Sequence, residues 1–338
     1  MIIEKIISFL DEKKVNILIV HGLATSNHTH KYIHESIYKT FKYIQKIYHR
    51  KIDVYWIDDK TQDLYKNKKN IFLIFSSPHY DTDNFLPILD NAYYILHYKE
   101  INFITKKVVT KYDDLLLCNK AAKYVEFRHT NDSKEKINNT IFWYDKEDNS
   151  FNMPWATNLL PSEIDNKINL IKSLKKLPYK SKNSYFCGSI WKVNINEINR
   201  WRKICLKHNI NPDFTREKNE EIHQENIRTA YIAPAIQGST HKTSEDKFYI
   251  PCRIFKNISY GNIAVTNNIG VYNLFKDFLI IYDDDLEKLI VKYIDYIDSL
   301  KDPNNFKKHK EDMVKIMTYV KEHHTYLSRI EILISKLT

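Results

Sequence analysis

Residues 248 to 268 read FYIPCRIFKNISYGNIAVTNN and combine a proline, an arginine and a glycine at spacings that could build an anion site. Pro251 suits the first turn of a helix and Gly261 its C-terminal cap, after which NIAVTN reads as a buried strand. Arg253 then falls in the first helical turn. The positive end of the dipole disfavours a cation there by a few tenths to about 1 kcal/mol. A residue type suited to bidentate phosphate contact, placed against that local rule, points to an oxyanion ligand. The competing explanation is a surface pair of Arg253 with Glu245 or Asp246.

A second chemical stretch is ILIVHGLATSNHTHKYIH, residues 17 to 34, where a run of β-formers ends in His21 and Gly22. Only five glycines occur in 338 residues, against a usual share of about 7%, so each marks backbone that tolerates little else. The others are Gly188, Gly238, Gly261 and Gly270. His30 and His34 lie one helical turn apart and could present two nitrogens to a metal, but no third ligand follows at suitable spacing. Asp81 and Asp83 form a D-x-D after a strand, a pattern able to hold a diphosphate through a divalent cation or to bind an acceptor. Asp283 to Asp285 read instead as carboxylates at a helix N-terminus.

Elements that could position these residues alternate along the chain. Helix 2–11, strand VNILIV, helix 30–47 and strands VYWI, IFLIFS and AYYILH are followed by shorter strands KYVEF and TIFWY. IFLIFS and ILIV are apolar throughout, as expected for parallel strands covered on both faces. A helix over LPSEIDNKINLIKSLKK, capped by Ser162, precedes a polar break at 177–183. A second set then runs through strand SYFCGS, helix NEINRWRKICLKH, strand TAYIAPA, the 251–261 helix, strand NIAVTN, a short helix VYNLFK and strand FLIIY. Two helices close it, the last at 308–336 with Met313, Ile316, Met317, Val320, Leu327, Ile330 and Ile334 on one stripe. The pattern predicts an α/β protein with parallel sheets, in which ligands sit beyond the carboxyl ends of the strands. Gly22, Gly188, Gly238 and Gly270 all fall at such ends.

A chain of 338 residues exceeds the about 250 to 300 at which single cores stop growing, so two domains are expected. A hydrophobic fraction of 43% excludes a disordered protein. The four cysteines show no C-x-x-C pair and fit a reducing compartment. No run resembles a signal peptide or a membrane span, which predicts a soluble, cytoplasmic protein. The net charge of +10 admits an anionic partner. KYIQKIYHRK at 42–51 is the best local case for nucleic acid.

The pattern Y-I-P-C-R-x-F-x-x-I-S-Y-G-x-x-x-V-T-N over 249–267 resembles the carboxy-terminal domain of GT-B glycosyltransferases of the group 1-like kind, whose donor-site helix carries R-x-F-E. YIAPAIQGSTHK at 231–242 and the H-T-x-x-x-R of EHHTYLSRIEILI at 322–334 resemble the same group. The resemblance implies a GT-B fold: two Rossmann-like domains, 1–178 for the acceptor and 179–300 for the donor, facing a central cleft, with a helical tail, 301–338, packing back. It implies transfer of a sugar from a nucleoside diphosphate sugar, such as a UDP- or GDP-sugar, to an acceptor glycan or glycoconjugate, with no metal and no further cofactor. Arg253, Gly188, Ser189, Asn267 and Asn268 would then face the donor's phosphates and sugar, and His241 a phosphate or hydroxyl. Lys256 stands where the family has an acid for the ribose, so Asn257 is the alternative ribose contact and Lys256 an addition to the phosphate site. His21, with an ordinary pKa near 6.5, suits a general base. Gly22, His28, His30, Lys31 and Asp81 would line the acceptor side. A nucleic-acid-binding α/β protein, or an enzyme that glycosylates nucleic acid, is the rival reading.

Overall fold

The first apolar run of the chain forms strand β1 (Ile17–His21), in which Ile17 to Val20 are at most 3% exposed. A strand buried on both faces needs parallel neighbours and helices above and below, and the computed structural model supplies them. It describes residues 2–21, 31–48, 51–56, 61–76, 89–97, 124–128, 135–136, 143–145, 150–179, 181–186, 188, 190, 195–215, 217–236 and 250–337. Gly22, His28, His30, Asp81, Ser189, Gly238 and His241 lie outside them. The chain divides into two compact units, Met1–Pro154 with Tyr326–Thr338, and Trp155–Thr325. The division thus falls at 154/155 instead of 178/179.

In the first unit, α1 (Ile2–Glu12), β1, α2 (Lys31–Ile47), β2 (Asp53–Trp56), α3 (Gln62–Lys66), β3 (Phe72–Ser76), β4 (Ala92–His97) and β5 (Tyr124–Arg128) precede three short strands. These are β6 (Glu135–Lys136), β7 (Trp143–Asp145) and β8 (Ser150–Asn152). The sheet runs β2-β1-β3-β4-β5-β8-β7-β6, parallel as far as β8 and antiparallel beyond it. His34, on α2, is fully buried with its ring edge-on to Phe75 at 5.7 Å. Burial pulls it down to about 4, so this histidine belongs to the core and not to a metal pair.

The second unit contains α4 (Pro161–Ser173), β9 (Asn183–Tyr185), α5 (Ile195–Lys207), β10 (Asn211–Asp213), α6 (Glu220–Thr229), α7 (Cys252–Tyr260), β11 (Ala264–Thr266), α8 (Ile269–Phe275), β12 (Ile280–Tyr282), α9 (Leu286–Ser299) and α10 (Pro303–His323). The expected strand TAYIAPA is absent as a ladder, because Pro234 has no N–H to donate. It survives as an extended segment, 231–236, with single parallel bridges from Ile232 to Ser184 and from Ala235 to Thr266. Those bridges join β10-β9 to β11-β12 in one parallel series, β10-β9-(231–236)-β11-β12. Both units therefore start with the second strand outside the first and the third on its other side. In open parallel sheets ligands bind beyond the strand ends at such a reversal.

Local chemistry sets the helix ends. Glu163, not Ser162, closes the start of α4 by accepting from the Leu160 amide at 2.7 Å. Asn268 and Asp285 cap α8 and α9 by accepting from Val271 and from Glu287 and Lys288. Gly261 ends α7 at φ 97°, where only glycine avoids strain. The tail expected as one helix breaks at His324 into α10 and α11 (Tyr326–Ile334). The His324 carbonyl accepts from the Thr157 amide at 3.0 Å, and the ring stacks on Phe255 at 4.4 Å. Among the described residues no helix is long and apolar enough to cross a membrane.

His309 on α10 is 4% exposed, and its Nδ1 lies 2.9 Å from the Tyr296 hydroxyl. Burial lowers it to about 4, below the unfolded value near 6.5. The unfolded chain thus takes up the proton first, and stability present above pH 6.5 is lost as pH falls toward 4. Urea unfolding should show a loss from this histidine of about 2 kcal/mol between pH 6.5 and 5, and His309→Gln should remove that share. An unchanged pH dependence in the variant would show that His309 is not held neutral by the fold.

Candidate functional site

In the second unit the strand order reverses between β9 and segment 231–236, the position at which open parallel sheets take ligands. The Phe186 amide donates to the Asp213 carbonyl and the Tyr185 amide to the Ile232 carbonyl, each at 3.0 Å, which fixes the rim residues at the strand ends. α7 begins directly beyond the rim, with Pro251 as the residue before its first turn. Arg253 sits in that turn, and its Nη1 donates to the Ile236 carbonyl at 3.1 Å. Its guanidinium carbon lies 4.1 Å from the centroid of the Phe186 ring. A Cβ built on Gly188 would stand 2.0 Å from Arg253 Nη2. A side chain at 188 would displace the guanidinium from this place, a constraint beyond ordinary turn geometry. Arg253 and Gly188, read separately from the sequence, meet beside the reversal in strand order.

The rim continues past Phe186. Phe214, the residue after β10, lies 5.9 Å from Phe186 ring to ring, and the Arg202 guanidinium on α5 sits 4.8 Å over Phe214. Four side chains thus run in series, Arg253, Phe186, Phe214 and Arg202, with the two rings between the two guanidinium groups. Sequence reasoning missed the two rings, since a phenylalanine after an apolar strand reads as core. The only hint was that each immediately follows a strand end.

The remaining donor-side residues divide differently. Asn257 is 1% exposed, and its Nδ2 donates to the Ala233 carbonyl at 2.7 Å. Asn268 is 6% exposed and caps α8, while Asn267 beside it is also buried. The geometry gives Asn257 and Asn268 structural work, fastening segment 231–236 and starting a helix. Lys256 is buried on α7 close to Glu220 and His223. Burial pushes the Glu220 carboxyl up, but Lys256 and the hydrogen bonds from Asn158, Gln224 and Tyr260 outweigh it and hold the carboxyl below its usual range. His223 is lowered by burial first and by Lys256 second, and its Nδ1 lies 3.2 Å from the Tyr185 hydroxyl. Lys256 is thereby committed to an internal charge cluster.

In the first unit, His21 ends β1 in register with Ser76 of β3, at the carboxyl ends of both strands. Lys31 is the first residue of α2. Gly22, His28, His30, Asp81, Ser189 and His241 fall outside the described residues. Among the described residues no three His, Cys, Asp or Glu side chains gather as a metal site.

No family model and no curated protein matches the sequence. Among solved structures the chain is similar to a UDP-forming α,α-trehalose-phosphate synthase from Burkholderia xenovorans, at 9% identity over 93% of this chain and 80% of that one, with a TM-score of 0.44. A likeness at that level carries no argument about activity.

Gly188→Ala tests the packing. The atom that a new Cβ meets is the far end of a flexible side chain, so the fold should persist while the guanidinium leaves its place on Phe186. Modification by phenylglyoxal, followed by mass mapping, should then proceed severalfold faster at Arg253. An unchanged rate would mean that Gly188 and Arg253 do not constrain each other.

Proposed function

We propose that the protein is a glycosyltransferase that takes its sugar from a nucleoside diphosphate donor and binds the donor's diphosphate at the carboxyl ends of β9 and segment 231–236. The observation that supports it is Arg253, clamped by Ile236, Phe186 and Gly188 at the reversal point of the second unit's sheet. As the bond between the anomeric carbon and the diphosphate oxygen breaks, negative charge collects on the leaving group. A cation fixed in advance stabilises that charge without reorganising. The amides opening α7 add a further positive field at the same point. Arg253 faces that field alone as a cation in the first turn, an arrangement that an anion between them makes favourable.

On this reading the acceptor is a hydroxyl of a glycan or glycoconjugate, and an inverting reaction needs a base for its proton. We assign that role to His21, because a histidine at a strand's carboxyl end can accept a proton near neutral pH. The charge at the donor is supplied by Arg253, so the reading includes transfer without a metal ion. The sequence resemblance over 249–267 supports the same donor class.

A thermal-shift series against UDP, GDP, CDP, ADP and TDP, with and without Mn²⁺ and beside a short DNA duplex, checks the proposal. A ligand at 100 times its Kd stabilises by about 2.7 kcal/mol, which is a few degrees in Tm. One diphosphate should shift the protein equally with and without Mn²⁺, and Arg253→Ala should abolish the shift. Stabilisation by DNA alone, or a diphosphate shift that survives in Arg253→Ala, would refute the assignment.

A further inference from the structure

We infer that Phe186 is a positioning residue that sets the plane of the Arg253 guanidinium for the diphosphate, an inference that rests on the donor reading above. Phe186 is 2% exposed, so its own ring has little surface for a ligand and acts through what it touches. One neighbour is Arg253, 4.1 Å from the ring centroid, and another is Phe214, 5.9 Å away and tilted by 48°. Arg202, 4.8 Å from the Phe214 centroid, closes the far end of the series.

A cation over an aromatic ring is attracted by the negative face of the ring, and the attraction strengthens as water is excluded. Arginine meets this demand in a particular way. The stack engages the flat face of the guanidinium, while its N–H groups radiate in the plane. Nη1 already has a fixed direction toward the Ile236 carbonyl. The carbonyl and the ring together restrain the guanidinium, with Gly188 leaving room for the Nη2 end. A guanidinium fixed in this way loses little freedom when an oxyanion binds, so Phe186 contributes to affinity through pre-organisation. Lysine has no planar face and cannot replace arginine in this arrangement.

The test is a double-mutant cycle read by calorimetric titration with whichever of UDP, GDP, CDP, ADP or TDP the wild-type protein binds best. Phe186→Leu should weaken binding by roughly 3- to 30-fold, the range of a partly to fully desolvated cation–π contact. Phe186→Tyr, which keeps a ring, should rescue it. In an Arg253→Lys background, Phe186→Leu should have no further effect, because the ring acts only through the guanidinium. Should Phe186→Leu fail to fold, Phe214→Leu removes the second ring and should show the same dependence on Arg253 with smaller amplitude. Tight binding in Phe186→Leu, failure of Phe186→Tyr to rescue, or effects that simply multiply would overturn the inference while leaving the donor reading in place. A wild-type protein that binds none of the five diphosphates overturns the donor reading itself, and this inference with it.

Discussion

A half-buried guanidinium at the positive end of a helix must be held by other parts of the fold. Here a carbonyl, an aromatic face and a bare Cα hold it, from two stretches of the sequence: Ile236, and Phe186 with Gly188. They meet beside the reversal in strand order. β10 lies outside β9 and segment 231–236 lies on its other side. The first turn of α7 reaches the end of that segment through Arg253. The cation there has the field of the helix against it, and the Ile236 carbonyl and the Phe186 ring offset that field.

The neighbouring charges are arranged so as not to compete. Lys256 is one turn beyond Arg253, yet Glu220 neutralises it, and three hydrogen bonds hold the Glu220 carboxyl in place. Asn257 and Asn262 secure the segments on either side of α7 through the Ala233, Ile227 and Ala230 carbonyls. Of the polar side chains on α7, Arg253 is the one set beside the reversal in strand order, and the others brace the helix that presents it.

Much of the fold could be read from the sequence where burial is symmetrical. IFLIFS and AYYILH are central parallel strands, and their apolar runs allow few other structures. α6 escaped notice because its apolar positions make no stripe: Ile227 is buried and Ile222 is 49% exposed. A local device, the Asn219 side chain accepting from the Glu221 and Ile222 amides, starts that helix instead. The break at His324 was hidden for a different reason. It depends on a hydrogen bond from Thr157, far away in the chain, which no local pattern encodes. The site shows the same division. Arg253 and Gly188 stood out because each violates a compositional or helical norm, whereas Phe186 obeys every norm for a core residue and gains its role only from what stacks on it.

The central claim is that Arg253 receives a diphosphate at the end of β9. A crystal structure of the protein soaked with the nucleoside diphosphate that binds it tests this most directly. The account predicts phosphate oxygens within hydrogen-bond distance of the Arg253 guanidinium, beside Gly188, with the Phe186 ring still stacked behind it. Phosphates bound elsewhere, with Arg253 unmoved on its ring and touching no ligand, would contradict it.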